Sequence, residues 1–95
     1  LGETFVYDNE HFHLNVVEHR TEIHVLRLET HNPGNGYGRL VVEAIVSYAR
    51  ATRRMPVALS MLDEEAESFW RHMGFVEHPD DPERFIPEGF AALLA

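Results

Sequence analysis

Three glycines stand at alternate positions, Gly34, Gly36 and Gly38, immediately before an apolar run with helical spacing. A glycine-rich turn entering a helix can hold a phosphate. The first N–H groups of a helix have no partner within it, and its dipole favours negative charge there. A backbone without Cβ atoms lets the anion come close. Read without chemistry, the same loop is a flexible strand-to-helix connection, and the spacing alone does not choose between the two. There is no Gly-Lys-Ser/Thr sequence, so this is not a P-loop, and the glycines lack the spacing of a dinucleotide fingerprint. The 7 histidines raise the question of a metal. His11 and His13 share one strand face, but no spacing supplies a third ligand, and no metal is expected.

The elements around this loop follow from period and punctuation. Residues 4–7 read as a short strand and 8–10 as a turn. Residues 11–17 alternate, with Phe12, Leu14 and Val16 opposite His11, His13 and Asn15. Residues 22–29 alternate again, with Ile23, Val25 and Arg27 opposite His24, Leu26 and Leu28. Three strands with tight links predict an antiparallel meander. After the loop at 30–36, Leu40, Val41, Ala44, Ile45, Tyr48 and Ala49 predict an amphipathic helix of about four turns. Arg50, Arg53 and Arg54 complement its C-terminal dipole, and Pro56 is a stop signal. Residues 57–62 read as an interior strand. Asp63 can cap a second helix, with Glu64 and Glu65 in its first turn. Ala66, Phe69, Trp70 and Met73 form the inner side of that helix, and Gly74 ends it. Residues 75–77 read as a strand, 78–83 as a loop and 84–87 as a last strand. The apolar tail at 90–95 is a docked last turn or a partner-binding stub. The fold class is α+β: a three-stranded antiparallel meander followed by β-loop-α-β-α-β. Its crossover from 22 to 62 is right-handed and makes its two strands parallel. The glycine loop therefore lies at the carboxyl end of the first of them.

Composition bounds what such a fold can do. The 95 residues make one domain, 1–95, with 44% hydrophobic and 25% charged content. With no cysteine there is no disulfide framework or thiolate metal site, and a reducing, cytoplasmic setting is expected. No apolar run reaches the 18 or so residues of a membrane span, and no secretory signal opens the chain. A net charge of −8 disfavours nucleic acid and anionic membrane and leaves room for a cationic substrate. Acidic surfaces also serve solubility alone.

The run from Pro33 to Ala49 resembles the acyl-CoA loop and helix of the GNAT superfamily of N-acetyltransferases. Residues 61–79 are similar to that family's second signature, with Ala66, Gly74 and Phe75 at matching positions. The resemblance covers about residues 22–76; the first 21 residues fit only as generic strands. It implies that acetyl-CoA is a co-substrate. Its pyrophosphate would be held by the backbone N–H groups of Asn35, Gly36, Tyr37, Gly38 and Arg39. Leu26, Arg27 and Leu28 would bond the pantetheine arm in a gap between the third and fourth strands. Asp63 and Trp70 occupy family positions on the cofactor side. The reaction would be direct attack of an amine on the thioester, which needs a base, N–H donors for the oxyanion and an acid for the thiolate.

The chain departs from the family at several points. Pro33 replaces the Arg or Gln at the loop start, and Asn35 or Arg39 can compensate. Asp63 replaces an Asn. Trp70 stands where a tyrosine usually protonates the thiolate; an indole is a poor acid, though a thiolate of pKa about 8.5 can leave unassisted. The Tyr37 hydroxyl, expected near the phosphates, is the candidate for binding or for that acid role. The usual two helices between the first and second strands are absent, which leaves apolar surface bare and points to a homodimer. Glu29 is the first candidate for the base, because it ends the strand beside the loop. His24 is the second, and His31 and Glu22 follow. The acceptor would be a small amine, a protein lysine or an N-terminus. Two alternatives have a basis in the sequence. One is a CoA-binding or protein-interaction module with weak or no catalysis. The other is a toxin-like acetyltransferase acting on aminoacyl-tRNA, which the acidity opposes.

Overall fold

The computed structural model describes residues 2–32, 34–59 and 63–94. Pro33, residues 60–62 of the expected fourth strand and the tail residue Ala95 lie outside the described residues. The order is β1 (Glu3–Asp8), β2 (Phe12–Glu18), β3 (Glu22–Thr30), α1 (Tyr37–Ala51), β4 (Met55–Leu59), α2 (Glu64–His72), β5 (Phe75–His78), β6 (Asp81–Pro87) and α3 (Glu88–Leu94). All six strands join one mixed sheet in the order β1-β2-β3-β4-β6-β5.

The meander forms as the alternation requires, β1 antiparallel to β2 and β2 to β3. The β1–β2 link is a tight turn closed by Asn9, whose Oδ1 accepts from the N–H of His11 at 2.7 Å and of Phe12 at 3.0 Å. The crossover through α1 brings β4 parallel to β3, with Glu22 beside Met55 and Val25 beside Ala58. α1 ends at Ala51, ahead of Pro56, which sits buried in β4. Among the described residues β6 joins β4 at Ala58 and Leu59, past Pro56, so a residue without an N–H is tolerated at that earlier position. The expected loop at 78–83 is a two-residue turn, because β6 begins at Asp81 rather than Arg84. β6 also inserts between β4 and β5, and the tail forms helix α3.

One cluster holds the core. Leu14, Val16, Val25, Ala58, Phe75 and Phe85 of the sheet meet Val41 and Val42 of α1 and Trp70 of α2. Both helices therefore cover the same sheet face, called here the helix face. Phe85 and Ile86 are fully buried, each contributing about 1.5–3 kcal/mol of transfer free energy. The inner stripe of α1 differs from the expected one. Val42 and Val46 turn inward, whereas Leu40, Ala44 and Tyr48 are exposed. Tyr48 instead donates its hydroxyl to Glu18 at 2.7 Å, beside an Arg54–Glu18 ion pair.

The alternation of β3 also breaks. Val25 stands opposite Val16 and Arg27 opposite Asn15, so Leu26 is the extra residue of a β-bulge. The bulge resets the phase. Leu28 joins Ile23 and Val25 toward the helices, and Arg27 stands on the other face with Glu29 and His24. That second face of β1–β3 carries no helix between β1 and β2.

Candidate functional site

Among the described residues, the pairing of β3 with β4 ends at Val25 and Ala58. A cleft of about 620 Å³ opens there. One wall is β3 from Val25 to Thr30, the other is Leu59, and Ala66, Phe69 and Trp70 of α2 form the third side. The cleft lies at the carboxyl ends of these two parallel strands, which is where open α/β sheets receive ligands.

The glycine turn stands next to this cleft, at its Thr30 end. Gly36 caps α1 with φ 80° and ψ 2°, and Gly34 has φ 97°; both lie in the left-handed region that glycine occupies at no steric cost. Gly38 packs tightly. A Cβ built there would lie 3.0 Å from a Phe69 ring carbon and 3.6 Å from the Thr30 methyl, and both residues border the cleft. The first turn of α1, with its unpaired N–H groups, thus abuts the cleft mouth. Asn35, Gly36 and Arg39 are exposed in this turn.

Asp63 also borders the cleft and caps α2, its Oδ1 accepting from the N–H of Glu65 at 2.9 Å and of Ala66 at 3.4 Å. Trp70 is only 4% exposed. It packs edge-on against Phe69 at 5.2 Å and tilted against Phe75 at 4.9 Å. Leu26 and Arg27, at the bulge, are exposed along the cleft wall.

The candidate bases and acid fall in different surroundings. Glu29 borders the open half of the cleft and is bound by Arg27, whose Nε donates to it at 2.9 Å. His24 pairs across the sheet with Val17 and Val57, one step before the strands part. Its Nε2 lies 2.8 Å from Glu22 Oε1. Burial acts to raise the Glu22 pKa, but hydrogen bonds from His24 and Arg84, with their charges, outweigh it and hold the carboxyl below its ordinary value of 4.5. Tyr37 does not border the cleft. Its ring stacks on His11 at 4.3 Å, and its hydroxyl lies 3.4 Å from His11 Nε2. Tyr37 thus turns its ring and hydroxyl toward His11 rather than into the cleft. His31 and His13 both approach Asp8, at 3.7 and 3.6 Å. Among the described residues no group of three or more His, Asp or Glu side chains is placed to hold a metal. The one buried side-chain atom without a hydrogen bond among the described residues is Asn15 Oδ1, on β2 opposite Arg27 beside the bulge.

Sequence reasoning missed Arg84. It reaches Glu22 from β6 across 62 positions. Neither residue lies in a motif, so no sequence signal joins them.

No protein-family model and no curated protein matches the chain. Solved structures do. The crystal structure of the anti-CRISPR protein AcrVA5 superposes with a TM-score of 0.74 at 14% identity, over 87% of this chain and 96% of that one. A tyrosine-to-phenylalanine mutant of the toxin AtaT, bound to the C-terminus of the antitoxin AtaR, gives 0.55 at 19% identity over 98% of this chain. The same toxin complex with acetyl-CoA gives 0.53 at 18% identity over 99% of this chain. The chain spans about 60% of the AtaT chain. Among the described residues no helix is long and apolar enough to cross a membrane. At these identities the likeness is one of fold, and that fold, a six-stranded mixed sheet with three helices, is GNAT-like.

Proposed function

We propose that the chain is a single-domain N-acetyltransferase that takes acetyl-CoA as donor and an amine as acceptor. The observation that carries this reading is the cleft between β3 and β4. Its paired end is at Val25–Ala58, its other end lies toward the first turn of α1, and Gly38 packs there so closely that a Cβ would press on the Phe69 ring at 3.0 Å. An elongated donor with an anionic end fits that shape. Its pyrophosphate would meet the N–H groups of residues 35–39. Its arm would lie along Leu26, Arg27 and Leu28, beside Asp63 and Trp70. From Thr30 to Val25 is five strand steps, about 17 Å, so an extended arm would bring its thioester to the bulge. The bulge leaves backbone N–H groups outside the ladder, and those would serve the oxyanion. Acetyl-CoA in one structural neighbour supports the same donor.

The acceptor would approach from the second face of β1–β3, which carries no helix between β1 and β2. Of the candidate bases, His24 fits this approach better than Glu29. His24 stands at the paired end on that face, whereas Glu29 stands toward the phosphate end and is held by Arg27. The charge of −8 favours a cationic acceptor and opposes the tRNA reading. A CoA-binding module without turnover is the second reading, and the observation that favours it is the burial of Trp70 where an acid is wanted.

The test is release of free thiol from acetyl-CoA against a panel of small amines, peptide lysines and peptide N-termini. All 8 cationic side chains of the chain are arginine, so no side-chain amine of its own competes as acceptor. Turnover with one class of amine supports the transferase. Donor binding with no turnover supports the module, and absence of donor binding contradicts both.

A further inference from the structure

Three side chains from two strands distant in sequence meet on the second face, beside the paired end of the cleft. Glu22 and His24 stand two residues apart on β3 and so share a face. Arg84 comes from β6, where it pairs with Leu59 of β4. Arg84 Nη2 donates to Glu22 Oε1 at 2.6 Å. His24 Nε2 lies 2.8 Å from that same oxygen and 3.1 Å from Arg84 Nη2. The three side chains are largely shielded, with exposures of 24% for Glu22, 20% for His24 and 26% for Arg84.

The inventory of donors decides how the protons lie. A guanidinium only donates and a carboxylate only accepts. If Nε2 carried a lone pair, that pair would point at the Glu22 carboxylate from 2.8 Å, which is repulsive. With the proton on Nε2, Glu22 Oε1 accepts from both His24 and Arg84; the 3.1 Å approach of Arg84 Nη2 to Nε2 is then a contact between two donors and not a hydrogen bond, and the shorter contact to the carboxylate decides the tautomer. The remaining ring nitrogen, Nδ1, then carries the lone pair. The other titratable group facing His24 is His19, its ring 4.4 Å away. The cross-strand neighbours on β2 and β4 are the uncharged Val17 and Val57.

We propose that Glu22 and Arg84 are positioning residues that clamp His24 as its Nε2–H tautomer, so that Nδ1 is the proton acceptor for the incoming amine. This rests on reading the cleft as an acetyl-transfer site. In that reaction a substrate ammonium gives one proton to Nδ1, which passes it to solvent. The freed lone pair attacks the thioester carbonyl carbon, and the C–S bond breaks with its electron pair on sulfur. A second proton leaves the new nitrogen and ends on the thiol; the third stays on the amide. Glu22 stabilises the transient imidazolium, and Arg84 holds the Glu22 carboxylate in place.

The experiment uses the whole chain. Nitrogen NMR of histidine-labelled protein, at a pH where the imidazole is neutral, is expected to give the Nε2–H tautomer for His24. Glu22→Gln is expected to lower kcat by at least about tenfold, since losing the carboxylate that orients a histidine base can cost up to about 10⁴-fold. KM for acetyl-CoA is expected to hold. The acidic limb of the pH–rate profile should move to lower pH in Glu22→Gln and to higher pH in Arg84→Met, opposite shifts that a merely structural role would not produce. An Nδ1–H tautomer in the wild-type protein overturns the proposal without any variant having to fold. So does unchanged kcat in Glu22→Gln. Loss of acetyl-CoA binding by calorimetry, with the Nε2–H tautomer intact, defeats the transferase reading and leaves the clamp standing.

Discussion

Replacing Gly36 separates the backbone role of the glycine turn from its binding role. Gly36 is the N-cap of α1 at φ 80°, ψ 2°. A side chain there costs about 1–2 kcal/mol for occupying the left-handed region. A built Cβ meets no protein atom within 4 Å, so no clash adds to that figure for alanine. For a domain of this size each kcal/mol lowers Tm by about 4–8 °C. Gly36→Ala is therefore expected to melt about 4–16 °C lower and still fold at 25 °C, since domains hold about 5–15 kcal/mol. Gly36→Val, β-branched, is expected to melt lower still. The new Cβ also points away from the protein at the mouth of the cleft, where a phosphate would approach. Acetyl-CoA affinity should fall at least about tenfold, or about 1.4 kcal/mol. Thermal denaturation reads the first effect and titration calorimetry below Tm the second. An unchanged Tm would refute the strain argument. A lower Tm with unchanged affinity would show the turn to be a connector only.

Other perturbations test other parts of the structure. Asp63→Ala removes the cap of α2 and should cost about 1 kcal/mol, about 4–8 °C in Tm; no loss would mean that the capping bonds to Glu65 and Ala66 contribute nothing. The Glu22 carboxyl is held below its ordinary value of 4.5 in the folded chain. Its contribution is thus complete above that value and is lost as pH falls through the lowered one. Urea unfolding between neutral and acidic pH should accordingly show a smaller acid loss in Glu22→Gln than in the wild type, and equal losses would refute the assignment. The bare second face exposes Val6 at 58%, and α3 exposes Leu93 at 82%. We expect a homodimer that covers such surface, so light scattering should give twice 11.0 kDa at micromolar concentration; a monomer mass across that range would contradict it.

Local signals in the sequence carried much of the fold. Asp63, Gly74 and the glycines before α1 act on their own neighbours, so cap and turn chemistry located both crossover helices. The meander followed from period-two alternation. What stayed hidden was non-local. β6 slips between β4 and β5, a pairing that adjacent residues do not encode. The bulge at Leu26 breaks the period and moves Arg27 and Leu28 to faces opposite those that alternation assigns. α1 buries Val42 and leaves Leu40 out, because its contacts with the sheet, not its hydropathy alone, set the inner stripe. The same limit applied to the site. The glycine turn before α1 was legible because it is contiguous. The partner of Glu22 and the stacking of Tyr37 on His11 depend on strands brought together only by the fold.

The most direct measurement of the central claim is amide-resolved NMR during titration with acetyl-CoA. If the donor lies between β3 and β4 with its phosphates at α1, saturable shifts should concentrate at residues 25–30 and 35–39 and at Asp63, Ala66 and Trp70. The edge strands β1 and β5 should stay still. Absence of saturable shifts, or shifts centred away from the cleft, would contradict an acyl-CoA site at this position.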